Sequence, residues 1–122
     1  MYGVPKDLDL SWCVGSHLQQ VAVGKFDVQF LFGNGAKIAV QSKVEMFQRG
    51  RRLAEWSEAQ GWSSAAFAGA LEQIVKSGRV LNDRAFELEL SDDVVLQFHD
   101  TSDQYESMQL YPQGRGSPMI VI

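Results

Sequence analysis

Carboxylates are the most concentrated reactive groups in this chain. Residues 82–106 hold eight acids, Asp83, Glu87, Glu89, Asp92, Asp93, Asp100, Asp103 and Glu106, against Arg84 alone, a balance of −7. Residues 43–52 lean the other way, with Lys43, Arg49, Arg51 and Arg52 against Glu45, a balance of +3. Acid–base catalysis by paired carboxylates needs two groups in one pocket with their pKa values driven apart. Glu87 and Glu89 alternate with Phe86, Leu88 and Leu90, so they share the wet face of a strand, where nothing tunes them. His99 and Asp100 are adjacent, and neighbours along a strand point to opposite faces, so they do not form a His–Asp couple. The other histidine is His17, and there is no Gly-x-Ser-x-Gly elbow. His99, Asp100, Asp103 and Glu106 carry metal-ligating atoms, but Asp100-Thr101-Ser102-Asp103 lacks the ligand spacing of a calcium loop. An Asx turn accounts for that run. One cysteine and two distant histidines cannot supply a zinc site. Gly33-Asn34-Gly35 opens a hairpin rather than a helix, so it is no phosphate loop. The expectation is a protein without catalytic residues, metal or cofactor.

The elements that position these groups repeat. From Val28 the chain runs Val-x-Phe-x-Phe, Gly33-Asn34-Gly35, Ile38-x-Val40. From Phe86, 58 residues on, it runs Phe-x-Leu-x-Leu, Ser91-Asp92-Asp93, Leu96-x-Phe98. Alternate apolar residues around a tight turn predict a strand–turn–strand each time, with Asn34-Gly35 supplying positive φ angles. Further strands are expected at 18–23, 26–32 (with Phe26, Val28, Phe30 and Phe32 inward), 37–47, 53–57, 79–81, 85–90, 94–99, 106–111 and 119–122. The last three strand segments are expected to form a meander. Leu8, Leu10 and Trp12 alternate with polar residues, as in an extended arm laid on the domain. Residues 63–77 read as a helix: Ser63 caps it, Trp62 and Phe67 staple it, Phe67, Leu71, Ile74 and Val75 form its stripe, and Gly78 ends it. Gly69 within it marks a close approach to the sheet. The predicted fold is therefore α+β: one domain, residues 1–122, with a single twisted antiparallel sheet of six to eight strands, two similar halves of three to four strands each, packed against the helix at 63–77.

At 122 residues and 45% hydrophobic, the chain can build a core without disulfides or metals. Its single cysteine, Cys13, reads as a buried inert thiol and fits a reducing compartment. The start of the sequence does not read as a signal peptide, and no run approaches the roughly 18 apolar residues that cross a bilayer. A cytoplasmic protein is expected, with no membrane contact. A net charge of −4 makes nucleic acid a poor partner.

Asp100-Thr101-Ser102-Asp103-Gln104-Tyr105-Glu106-Ser107, together with the opening Tyr2-Gly3-Val4-Pro5-Lys6-Asp7-Leu8-Asp9-Leu10, resembles a group of small uncharacterised bacterial proteins known as a domain of unknown function. The likeness covers residues 2–32 and 78–122. It includes Tyr105-Glu106-Ser107-Met108 and places Asp92-Asp93 where the group more commonly has Asp-Gly. It implies no catalytic roles; small acidic proteins of this kind are often immunity or accessory proteins.

The expected function is stoichiometric binding. Glu87, Glu89, Asp92, Asp93, His99, Tyr105, Gln109 and Tyr111 are expected on one acidic sheet face with two tyrosines, suited to docking a protein partner with a basic surface. Such a protein would be immunity- or inhibitor-like. Two alternatives stand beside it. In one, Trp12, Trp56 and the C-terminal Met119-Ile120-Val121-Ile122 exceed what one core can hold, and the edge strand makes a homo-oligomer. In the other, Arg49, Arg51 and Arg52 hold a small anionic ligand.

Overall fold

The structure, a computed structural model, describes residues 3–58, 61, 62, 65–102, 105–113 and 120–122, the side chains of 61, 62, 65 and 66 excepted. β-Branched and aromatic residues at every second position drive the chain into pleated strands with one apolar face. The described strands are β1 (Leu18–Val23), β2 (Val28–Phe32), β3 (Lys37–Val40), β4 (Lys43–Gln48), β5 (Arg51–Ser57), β6 (Gly61–Trp62), β7 (Val75–Asn82), β8 (Ala85–Leu90), β9 (Val94–His99), β10 (Met108–Tyr111) and β11 (Ile120–Val121). They form two antiparallel sheets, one in the order β1-β2-β3-β10-β11 and one in the order β6-β5-β4-β9-β8-β7.

One apolar core joins the sheets. The Phe30 ring on β2 meets the Phe98 ring on β9 edge-on, centroids 5.4 Å apart, and Phe98 stacks on Phe86 at 4.8 Å. Phe67 meets Phe30 at 6.0 Å from a short 3₁₀ turn, Ala65–Ala70. Trp56 is also buried, as is Ile122. Leu10 of the N-terminal arm is buried over Gly78, while Leu8 and Trp12 pack partly buried against the core. A Cβ on Gly78 would come within 2.8 Å of the Leu10 Cβ, so the glycine lets the arm lie down.

The expected α+β fold is overturned: the chain is mostly β, with two sheets and no long helix among the described residues. The predicted helix at 63–77 is instead the 3₁₀ turn followed by β7. Glu72 takes φ 68°, which no right-handed helix passes through. The backbone there bonds sideways, Glu72 N–H to Leu18 O at 2.7 Å and Val75 N–H to Ser16 O at 2.8 Å. Of the supposed stripe, Phe67 and Val75 are buried but Leu71 and Ile74 are exposed. A helical period over so few residues was outweighed by the tertiary demand for a strand beside β8. Gly78 lies inside β7 opposite Leu88 rather than at a helix end. Gly69 has open space beside it rather than a sheet. Ser63, the Trp62 side chain, Asp103, Met119 and residues 114–118 lie outside the described residues.

The predicted strand at 37–47 breaks at Gln41 and Ser42, sending β3 and β4 into different sheets. The expected closing meander breaks in the same way between β9 and β10, although β10 and β11 do pair. Phe26 is 62% exposed in the turn before β2, not inward with Val28.

The 58-residue echo is carried in three dimensions. Val28 faces Val40 and Phe30 faces Ile38; 58 residues on, Phe86 faces Phe98 and Leu88 faces Leu96. Exchange of the halves turns β1-β2-β3-β10-β11 into β7-β8-β9-β4-β5, the order of the second sheet, with β6 added at its edge. Each half thus builds a three-stranded meander and then sends its next two strands into the other half's sheet. The starts of β1 and β7 also pair, through the bridge of His17 with Ile74, which closes the two sheets along one side.

Candidate functional site

The outer face of the six-stranded sheet carries the carboxylates that alternation placed there, and it gives each a partner. Arg79, Glu87, Gln97, Glu45 and Glu55 stand directly opposite one another on β7, β8, β9, β4 and β5. Arg79 Nε donates to Glu87 Oε2 at 2.8 Å, and Gln97 Nε2 donates to Glu87 Oε1 at 3.2 Å. Glu87 is buried beneath these contacts. Glu45 meets Arg52 Nη1 at 3.1 Å, and Lys43 Nζ lies 3.4 Å from Glu55. Glu89, more open, accepts from Ser77 Oγ at 3.3 Å and has Lys76 Nζ 4.0 Å away. Parity holds, since Phe86 and Leu88 are fully buried beneath. The face as a whole is charge-compensated rather than acidic.

The other expected docking residues are dispersed. Asp92 and Asp93 form the β8–β9 turn, both with left-handed backbone, φ 57° and 60°. Gln109 and Tyr111 lie on β10 in the other sheet, where Lys37 Nζ sits 4.4 Å from the Tyr111 ring centroid. Tyr105 stands in the β9–β10 connection, 73% exposed. His99 does point outward, away from Asp100. Its Nε2 is 2.9 Å from Glu45 Oε1 without the alignment of a hydrogen bond. The three arginines do not converge. Arg49 Nε reaches Asp93 at 3.6 Å, Arg52 is held by Glu45 and Glu55, and Arg51 is its exposed strand neighbour on β5.

Asp100 points inward and is buried. Its Oδ2 accepts from the Gly3 N–H at 2.8 Å and from Arg84 Nη1 at 3.1 Å. Its Oδ1 accepts from the Ser102 N–H at 3.2 Å, the expected Asx turn, and from the Ser107 hydroxyl. This carboxylate ties the arm, the β7–β8 turn and the β9–β10 connection together. Cys13 is fully buried with Sγ on Leu10 O at 3.2 Å, and burial pushes its thiol up to about 12, as expected of an unreactive core cysteine.

Where the two crossovers pass each other, the surface opens into a hollow of about 560 Å³. Gln41 and Ser42 of the β3–β4 crossover form one side; Thr101, Ser102, Tyr105, Glu106 and Ser107 form the other, with Phe26 and Glu58 completing it. The described lining holds two carboxylates and two exposed aromatics, and no lysine or arginine. Its two buried hydroxyls are committed as donors: Ser42 gives its proton to His99 O and Ser107 gives its own to Asp100, which leaves those two oxygens with lone pairs only. Sequence reasoning found Tyr105 of this set and missed the rest. Phe26 fits the inward set of a strand pattern, and Glu106 reads as one of the acids of 82–106 and as a metal-ligating group. The available signal was the point, just past Val40 and Phe98, where the two copies stop matching. No family model, curated protein or solved structure matches this chain.

Proposed function

We propose that this protein is a non-enzymatic, cytoplasmic binding protein that docks a basic protein partner, in the manner of an immunity or inhibitor protein, through the hollow between its two crossovers. The supporting observation is the chemistry of that hollow. Glu58 and Glu106 are exposed in it, Phe26 and Tyr105 supply apolar area with a phenolic tip, and no described cation lines it. The six-stranded sheet face, by contrast, spends its acids on Arg79, Arg52, Lys43 and Lys76. Docking there would require breaking those pairs. Charge steering speeds association with a basic surface and weakens with salt.

The test is affinity capture from the native cell, with wild type beside the double variant Glu58→Lys/Glu106→Lys. Both acids are exposed, so the variant should melt within a few degrees of wild type. The expected result is a basic protein retained at low salt, released at high salt and lost from the variant. Equal retention by the two forms would dispose of the hollow as the docking point.

A second reading is self-association through β11. That strand is an edge of the five-stranded sheet among the described residues, with Ile120 and Val121 half-buried. Trp56 and Ile122 do not add to it, because both are consumed by the core. Sedimentation equilibrium distinguishes the two, a concentration-independent monomer mass removing the second.

A further inference from the structure

We infer that the hollow is a socket for a single arginine side chain of the basic partner. This rests on the docking reading above and names what that site recognises. Four features select the guanidinium. The rim carries two exposed aromatic rings, Phe26 and Tyr105, and a guanidinium stacks on such faces while shedding water more easily than an ammonium. Glu58 and Glu106 provide the counter-charge from two separate elements: Glu58 follows β5, and Glu106 precedes β10. The two buried hydroxyls, Ser42 and Ser107, have only lone pairs left to offer, since their protons are committed inward. A guanidinium, with five donors and no acceptor, matches those two oxygens and the two carboxylates, which a phosphate or carboxylate would meet as like charge. The site is also built by rigid parts. Ser107 is fixed on the buried Asp100, and the Gln41 N–H is bonded to Ser107 O at 2.8 Å, so the wall does not have to be ordered on binding.

Two internal cations already border the site: Arg84 Nη1 donates to Ser102 O at 3.0 Å, and Lys25 approaches the rim. Lys25 Nζ lies 5.4 Å from the Phe26 ring centroid. It is outside the lining of the hollow but within reach of one of its rings. It competes with an incoming cation for that ring and repels it. Removing it therefore tightens binding, an effect that a purely structural role for Phe26 would not produce.

The experiment is an amide NMR titration of the full chain with three blocked tripeptides, Gly-Arg-Gly, Gly-Lys-Gly and Gly-citrulline-Gly. Citrulline keeps the shape of arginine and removes its charge and one donor group. The arginine peptide is expected to shift Gln41, Ser42, Thr101, Ser102, Tyr105 and Ser107 along saturable curves, the lysine peptide to bind more weakly, and the citrulline peptide not to bind. Glu58→Gln, Glu106→Gln and Tyr105→Ala should each weaken the arginine peptide by about threefold, as exposed charge and cation–π contacts do. Lys25→Ala should tighten it by about twofold. Equal binding of the citrulline peptide, shifts confined to β8 and β9, or no shift at tens of millimolar peptide (roughly the affinity expected of one side chain) would each overturn the socket. A basic partner still captured in that event would leave the docking reading standing. Loss of all capture with an intact arginine response would overturn the docking reading alone.

Discussion

In the first half of the molecule the chain leaves its hairpin and enters the opposite sheet through two residues, 41 and 42. In the second half the same passage takes eight, 100–107. From β2 and β8 up to that point the halves match residue for residue, since Val40 and Phe98 occupy the same position in the same register, whereas β1 and β7 pair with them one residue out of step. The short passage is held by the Ser42 hydroxyl on His99 O and the Gln41 N–H on Ser107 O, and the long one by a carboxylate that receives four hydrogen bonds. The hairpins have to fill one core and are constrained alike; the passages face water and are free to diverge. The extra length supplies five of the nine described residues that line the hollow.

That comparison breaks first at the matched core positions if the halves are not energetically alike in kind. Phe98 stacks on Phe86 and abuts Phe30, whereas its counterpart Val40 is a smaller side chain buried to the same extent. Phe98→Ala should cost about 4 kcal/mol and Val40→Ala about 2 kcal/mol, read as midpoint shifts in urea at unchanged slope. Equal costs would mean that Phe98 has no special place between the sheets. At the passages the contrast should be sharper. Asp100→Ala strands the Gly3 and Ser102 N–H groups and the Ser107 hydroxyl, and should cost about 3 kcal/mol. Ser42→Ala removes one hydroxyl and its bond, and should cost about 1 kcal/mol. If Asp100→Ala proves as mild as Ser42→Ala, the long passage is not held by its carboxylate.

The sequence disclosed local pairing well and global placement poorly. Alternation around Gly33-Asn34-Gly35 and Ser91-Asp92-Asp93 fixed both hairpins and which of their side chains go inward, because one buried face leaves a strand no choice of register. It could not reveal that β4 and β10 change sheets, since pattern is blind to which neighbour a strand chooses. It misread 63–77 because Phe67, Leu71 and Val75 satisfy a helical spacing by coincidence, while the bonds that bend the chain at Glu72 come from Ser16 and Leu18, more than fifty residues away. The acidic face was legible as charge but not as a compensated surface: Arg79 lies in the strand expected at 79–81, but alternation does not say that this strand pairs with β8 and sets Arg79 against Glu87. Of the hollow, Tyr105 was legible as a docking residue and Glu106 only as one acid in the 82–106 run. Phe26 fits a strand pattern as well as it fits a rim, and an insertion relative to a repeat looks like any other polar loop.

The two hairpin turns give the smallest and cleanest contrast. The first places Gly35 at φ 92°; the second, 58 residues on, places Asp93 at φ 60°, with Asp92 beside it at 57°. A residue with a Cβ pays for left-handed backbone in steric energy, aspartate less than most. Asp93→Gly should therefore stabilise the protein by about 0.5 kcal/mol, the relief of strain exceeding the added freedom of the unfolded chain. The Arg49 ion pair lost with it, exposed at 3.6 Å, offsets little of this. Gly35→Ala should do the reverse and cost about 1 kcal/mol, with open space around the new methyl so that backbone conformation alone is tested. Destabilisation by Asp93→Gly would instead show that the aspartate is worth more in this turn than its strain. The divergence between the halves would then begin at the turns rather than at the passages.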